Sequence, residues 1–218
     1  MYSNGLKYSD VKRDLSMENS QFTFHLDALI KHGYIHKEDS FYTLTAAGKE
    51  FANRMDIKTK EFKPFPKTTA MLCATRTNNG IREVLLYTRQ KTPFYGCQGF
   101  PTQKVLFGDS IIEVAKKGLL DETGLIGNPQ IKAIRHYRVY QEGKDEVQED
   151  KIMYMFLFEN PEGELINSEE GDYYWVDITK VDEEVIRPQP EFHEAFGIIA
   201  GNADYEFFRE DKHITDKF

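Results

Sequence analysis

Two adjacent carboxylates, Asp121 and Glu122, lie near the end of the stretch from Gly99 to Ile126, GFPTQKVLFGDSIIEVAKKGLLDETGLI. Carboxylate oxygens are the donors that a hard divalent cation takes, in a geometry that tolerates little distortion for Mg2+. On a helix, positions 118, 121 and 122 are related by i, i+3 and i+4 and share one face. That face offers Gly118, Asp121 and Glu122, and Gly118 supplies neither a ligand nor a general base. The alternative reading of the same residues is a solvated helix end.

The stretch has the marks of a helix that would present this face. Ser110-Ile111-Ile112-Glu113 has the form of a capping box, in which hydroxyl and carboxylate each satisfy a free backbone N–H. Ile111, Ala115 and Leu119 recur at four-residue spacing with Ile112 and Leu120 beside them, which predicts an apolar face packed on a sheet. Gly124 follows the last turn, where a left-handed residue ends a helix without a Cβ penalty.

The stretch resembles a Nudix box, whose pattern is Gly-x5-Glu-x7-Arg-Glu-hydrophobic-x-Glu-Glu-x-Gly-hydrophobic. Leu119, Glu122, Gly124 and Leu125 match it outright, whereas Asp109, Lys117 and Asp121 keep only the charge sign. Gln103 and Gly118 depart from it. In a Nudix hydrolase this face presents three glutamates to Mg2+ bridging a diphosphate. The resemblance implies Asp121 and Glu122 as the remaining catalytic and metal-binding carboxylates, with efficient hydrolysis lost. Asp121 is one methylene short, and Lys117 replaces an arginine whose planar fork would orient two carboxylates. A further carboxylate from the acidic run Glu142, Asp145, Glu146, Glu149 and Asp150 would be the route to a rescued site. Arg89, Arg135 and Arg138 are candidate phosphate contacts, because guanidinium forks match phosphate oxygens; on alternating strands they could equally face solvent. Gln103 stands where the family has a glycine that admits phosphate to the backbone, so it would either crowd the ligand or donate to it. Tyr137, Tyr140 and Tyr174 could stack on a base or pack in the core.

The totals set bounds. With 218 residues, 40% apolar and 29% charged, the composition is that of a globular protein of one or two domains. A net charge of −8 argues against a protein that coats nucleic acid along its whole length. The charge is uneven: residues 1–60 carry nine Lys/Arg against eight Asp/Glu, and the rest nineteen against twenty-eight. Cys73 and Cys97 show no metal-type spacing. No apolar run reaches the length of a membrane span and no signal peptide is apparent, so no membrane partner is expected and the cytoplasm is the expected location.

Residues 8–56 read as helix (Tyr8 to Leu15), turn, helix (Ser20 to His32), hairpin (Tyr34–His36 and Phe41–Leu44) and a last helix from Thr45 or Ala46 to Met55. This order, with Ser20-Gln21-Phe22-Thr23-Phe24-His25-Leu26, Leu29-Ile30-Lys31-His32-Gly33-Tyr34-Ile35, Tyr42-Thr43-Leu44-Thr45 and Gly48, resembles the winged-helix module of small bacterial repressors. The likeness implies that Ser20, Gln21, Thr23 and His25 lie on the exposed start of a recognition helix and that Lys37 in the wing meets phosphates. Glutamine pairs bidentately with adenine, and Ser or Thr serves bases or phosphates. Use of the module for protein contacts alone is the alternative.

Pro64 and Pro66 break the helical pattern in a charged linker. Beyond it, β-prone runs at Thr68–Thr75 and Glu83–Thr88 flank the turn Asn78-Asn79-Gly80. Further strands are expected at Ile131–Tyr140, Ile152–Phe158 and Tyr173–Val176, with helices at Thr179–Val185 and Glu191–Ala200. The chain is therefore expected to be α+β. A winged helix-turn-helix domain would span 1–58, a linker 59–66 and a Nudix-type α/β/α sandwich with a mixed sheet 67–201. Residues 202–218 form a tail that the sequence does not place.

Two functions fit these modules. One is a transcription regulator, homodimeric because operators are symmetric, that binds DNA and senses a nucleotide-type metabolite with weak or no hydrolysis. Regulators joining the two modules are known as a class, usually with the Nudix part first. The other is a Mg2+-dependent pyrophosphohydrolase of nucleoside diphosphates linked to another moiety. A scaffold using neither site is the third possibility.

Overall fold

The computed structural model describes residues 5–13, 15–56, 59, 61, 62, 64–201 and 205–216. The chain divides into two compact units, Met1–Phe65 and Pro66–Phe218.

In the first unit, β1 (Leu6–Lys7) leads into α1 (Tyr8–Lys12), then α2 (Asn19–Lys31), the hairpin β2 (Ile35–Glu38) and β3 (Phe41–Leu44), and α3 (Ala46–Asn53). The expected element order is present, with β1 added to the hairpin in the sheet order β1-β3-β2. The first helix is shorter than the periodicity suggested, ending at Lys12. Phe22 and Leu26 of α2 are buried, and the Tyr8 ring meets Phe22 edge-on at 4.9 Å. Gly33 (φ +74°) ends α2, and Thr45 caps α3 by accepting from the Gly48 N–H at 3.0 Å. A Cβ on Gly48 would collide with the Tyr34 carbonyl, so the last helix needs glycine where it crosses the chain entering the hairpin. The linker is less separate than its prolines suggest. Met55 bridges Phe62, and the Phe51 and Phe62 rings lie 6.0 Å apart, so part of it folds back on α3. Lys60 and Lys63 of the expected linker, and Ile57 and Lys58 at the expected domain end, lie outside the described residues.

The second unit contains β4 (Lys67–Asn78), β5 (Ile81–Arg89), β6 (Gln98–Gly99), β7 (Thr102–Lys104), α4 (Ile111–Thr123), β8 (Leu125–Ile126), β9 (Pro129–Gln141), β10 (Val147–Glu159), β11 (Glu162–Gly163), β12 (Gly171–Asp177), α5 (Val181–Glu184), α6 (Phe192–Ala200) and β13 (Phe208–Thr215). Its main sheet runs β12-β5-β4-β10-β9-β13, with β6 on β5 and β7 on β4. The β4–β10 and β9–β13 pairs are parallel and the others antiparallel, so the sheet is mixed, as expected. Both faces are covered, which is why β4 reads as an unbroken apolar run rather than an alternation. Ala70, Leu72 and Ala74 pack with Leu119 and Phe156 on the α4 side, while Met71 and Cys73 pack with Met153, Phe192 and Ile198 on the other. Asn79 (φ +49°) and Gly80 (φ +80°) supply the two left-handed residues of the β4–β5 turn.

Three expectations need correction. Part of the expected tail, 202–218, is a strand: β13 pairs along β9 from Phe208↔Ile134 to Thr215↔Gln141, while residues 202–204, 217 and 218 lie outside the description. Its sequence, FREDKHIT, lacks an apolar run because the side chains it buries, Asp211 and Thr215, are polar. Ser110 precedes α4 but its hydroxyl makes no cap bond, and Glu113 instead takes Lys116 at 3.0 Å. The buried face of α4 is Ala115, Gly118, Leu119 and Thr123, whereas Ile112 and Leu120 stay 40% and 44% exposed. The stripe is rotated because Gly118, with no side chain, lets the helix lie close to β7 and β4.

Candidate functional site

Gly124 (φ +73°) closes α4 with its N–H on the Leu120 carbonyl at 2.8 Å, and a Cβ there would strike the Glu164 carbonyl. This stop fixes where Glu122 emerges: on the wall of a cavity of about 510 Å3. One Glu122 oxygen accepts from Ser168 Oγ at 2.5 Å and from Tyr173 Oη at 2.9 Å. Burial, with the neighbouring Glu122 charge added to it, raises the Tyr173 phenol, so it stays a donor. Ser168 in turn accepts from the Glu170 N–H at 3.1 Å. The Tyr173 ring stacks on Tyr87 at 5.6 Å, and the Tyr87 hydroxyl accepts from Gln189 Nε2 at 3.0 Å. A Cβ on Gly99 would fall on the Gln189 amide, so that glycine is what admits Gln189 to the wall.

The rest of the wall is rich in paired charge. Glu149 lies between Lys67 at 3.4 Å and Lys151 at 2.9 Å. Glu170 takes Lys91 at 2.6 Å and Arg89 at 3.6 Å, and Glu191 accepts from Tyr137 Oη at 3.1 Å. Arg89 is further held by its Nε bond to the Pro93 carbonyl at 2.8 Å.

The candidates read from the sequence separate into two groups. Glu122, Arg89 and Gln103 line this cavity, and so does Glu149 of the acidic run. Asp121 points to solvent and is not among the lining residues. Arg135 is buried against Glu194 (2.6 Å) and Asp211 (3.7 Å), and Arg138 is paired with Glu210 at 3.1 Å. Neither arginine lines the cavity, because β9 lies on the far side of β10 from β4. Glu142, Asp145 and Glu146 are exposed, and Asp150 pairs with His136 at 2.9 Å. Tyr137 is a buried core residue. Tyr174 accepts from Gln98 Nε2 at 2.8 Å and is not among the residues that line the cavity. Thr69, Tyr87, Lys104, Ser168, Tyr173 and Gln189 escaped sequence reasoning, since no local pattern marks them. A larger and more open hollow of about 780 Å3 on the outer side of α4 contains neither Asp121 nor Glu122.

The NUDIX domain profile matches residues 66–196. The chain belongs to the Nudix family. No curated protein matches it. Among solved structures, the NUDIX domain of Shewanella oneidensis NrtR complexed with ADP ribose is similar at TM-score 0.55 and 13% identity, covering 72% of this chain and 98% of that one. The mMutator MutT protein from Bacillus halodurans is similar at TM-score 0.54 and 22% identity, with 70% and 93% covered. A bifunctional NMN adenylyltransferase/ADP ribose pyrophosphatase from Francisella tularensis follows at 0.51 and 12%, with 83% of this chain and 51% of that one covered. At these identities the likeness is one of fold.

Two residues singled out in the sequence, Gln103 and Gly118, meet beside this cavity. A Cβ built on Gly118 meets Gln103 Cβ at 3.0 Å, Gln103 Cγ at 3.1 Å and Leu72 Cδ1 at 3.2 Å. The Gln103 side chain therefore fills the space beside Gly118. Nudix hydrolases generally use a divalent metal such as Mg2+. The residues here do not fit one: among the described residues, no three His, Cys, Asp or Glu side chains are grouped to hold an ion. Glu122 is committed to two hydroxyl donors, Glu149 to two lysines, and Asp121 faces away.

Proposed function

We propose that this chain is a transcription regulator in which a winged-helix domain binds DNA and the Nudix domain senses a nucleotide-type metabolite with little or no hydrolysis. The observation that carries the reading is the Gln103–Gly118 exchange, which fills the place of a box carboxylate and leaves an intact, charge-lined cavity. A nucleotide ligand is in keeping with the ADP ribose bound by the Shewanella NUDIX domain.

For the N-terminal unit, support comes from exposure on α2. Ser20, Gln21, Thr23 and His25 are all exposed, as is Lys37 on the hairpin, where it lies 5.5 Å over the Tyr42 ring. Thr23 also meets Tyr8 Oη at 3.0 Å, so it is the recognition candidate already engaged within the unit. Ligand binding would alter DNA affinity only by its differential affinity for the DNA-competent state. A symmetric operator would call for a homodimer. No helix among the described residues is long and apolar enough to cross a membrane.

Two measurements test the proposal. In a thermal-shift panel of nucleotides with and without Mg2+, a dinucleotide-type ligand is expected to raise Tm, as any ligand selective for the folded state does. Brisk Mg2+-dependent turnover by the unmodified protein would instead establish the pyrophosphohydrolase reading, with Glu122 as its remaining carboxylate. On a palindromic fragment from the protein's own operon, a salt-sensitive mobility shift is expected. Ser20, Gln21 and His25 changed together to Ala should abolish it, and an undiminished shift would remove α2 as the recognition helix.

A further inference from the structure

The cavity holds one buried hydroxyl that the protein leaves without a partner. Thr69 is 3% exposed, it lines the cavity, and its Oγ1 makes no hydrogen bond. Directly opposite it across the β4–β7 pair stands Lys104, which lines the same cavity. Opposed residues on neighbouring strands project from the same face, with their Cβ atoms about 5 Å apart. Lys67, two residues earlier on β4, faces the same way.

The charges around this pair decide what it would bind. Every cavity carboxylate already has a hydrogen-bond or ion-pair partner in the protein: Ser168 and Tyr173 for Glu122, the ammonium groups of Lys67 and Lys151 for Glu149, Lys91 and Arg89 for Glu170, and Tyr137 for Glu191. Glu149 Oε2 has the Lys151 charge 2.9 Å away but no hydrogen bond. Five basic side chains line the wall against those four carboxylates. Lys104 is the one among them with neither a hydrogen bond nor an ion pair to any described residue. The Lys104 side chain is exposed and carries an ammonium without a counter-ion, on the residue opposite an unpartnered buried hydroxyl; the two together can donate to an anionic oxygen in the cavity. Charge-assisted donors of this kind are the stronger hydrogen-bonding groups, and an apolar or cationic ligand would leave both unsatisfied.

We infer that Thr69 and Lys104 form a seat for a phosphoryl oxygen, so that this cavity holds a phosphorylated ligand without a divalent cation. Protein donors then take over the neutralisation that a metal gives in the hydrolases, in keeping with the lack of a three-carboxylate cluster. The inference rests on the reading of the cavity as a nucleotide site and specifies how the phosphate is held. Nothing in it requires a bond to break.

The test is calorimetric titration of the full-length protein with ADP-ribose and, separately, with inorganic pyrophosphate, each in EDTA and in Mg2+. ADP-ribose should bind equally well in both buffers; pyrophosphate binding as well would show that the bare anion suffices. Lys104→Met and Thr69→Val should each weaken ADP-ribose binding by about tenfold or more, the usual consequence of losing a hydrogen bond to a charged group. Thr69→Val should leave the Tm of the free protein unchanged or higher, because the deleted oxygen has no partner to lose. A lowered Tm with unaltered affinity would assign the hydroxyl a structural role and overturn the inference. Binding that requires Mg2+ would also overturn it while leaving the sensor reading intact. If neither ADP-ribose nor any nucleotide of the panel binds, the sensor reading fails and the seat goes with it.

Discussion

Replacing Arg135 by methionine is expected to destabilise the Nudix domain by about 3–5 kcal/mol, the usual cost of removing one partner from a buried ionic network. The side chain is only 5% exposed. Its Nε meets Glu194 of α6 at 2.6 Å and Asp211 of β13 at 3.7 Å. Its Nη1 donates to the carbonyls of Ile134 at 2.9 Å and Glu206 at 3.1 Å. One guanidinium thus joins β9, α6 and the approach to β13, and methionine would fill the volume while leaving those acceptors unmet. Arg209 also reaches Asp211, at 2.6 Å, and would keep part of the compensation. Urea denaturation gives the measurement; a loss below about 1 kcal/mol, the range of surface pairs, would mean that Arg209 suffices alone. Affinity for ADP-ribose should not change, because Arg135 lies outside the cavity.

Gly118→Glu alone is expected to yield a less stable and still inactive protein, and Gln103→Gly/Gly118→Glu one that is more stable than this single variant and gains hydrolysis. In the single variant the new Cβ is pressed against Gln103 Cβ at 3.0 Å, an atom fixed to the β7 backbone that cannot swing aside. Overpacking costs about 1–3 kcal/mol, against roughly 1 kcal/mol gained by removing a helical glycine. Removing the Gln103 side chain clears that space for the carboxylate. A correctly placed acid–base group is worth at least about a hundredfold in rate, so the double variant should exceed the parent by that factor on ADP-ribose with Mg2+. Equal rates in the parent and both variants would show that the exchange is not what limits hydrolysis. The outward orientation of Asp121 sets the limit on the recovery to be expected.

The α4 helix and its stop at Gly124, the turn at Asn79-Gly80 and the strand character of residues 68–75 were legible in the chain, because each rests on contacts within a few residues or on a periodicity of the backbone. The departure of Gly118 from the box pattern was read there as well. Its reason was not, since Gln103 and Gly118 meet only where β7 passes under α4. Arg135 and Arg138 read as phosphate ligands by side-chain type, yet their carboxylate partners lie 59 and 72 residues further along the chain. The strand at Phe208–Thr215 was hidden for a related reason: it buries an aspartate and a threonine rather than an apolar run. Thr69 is one of many strand threonines until register sets Lys104 across from it. The sequence by itself thus determined most of the helices and long strands and the resemblance to the Nudix box. Only the tertiary structure decided which charges are spent on each other and which face the cavity, because those pairings depend on long-range strand register, on which local patterning carries no information.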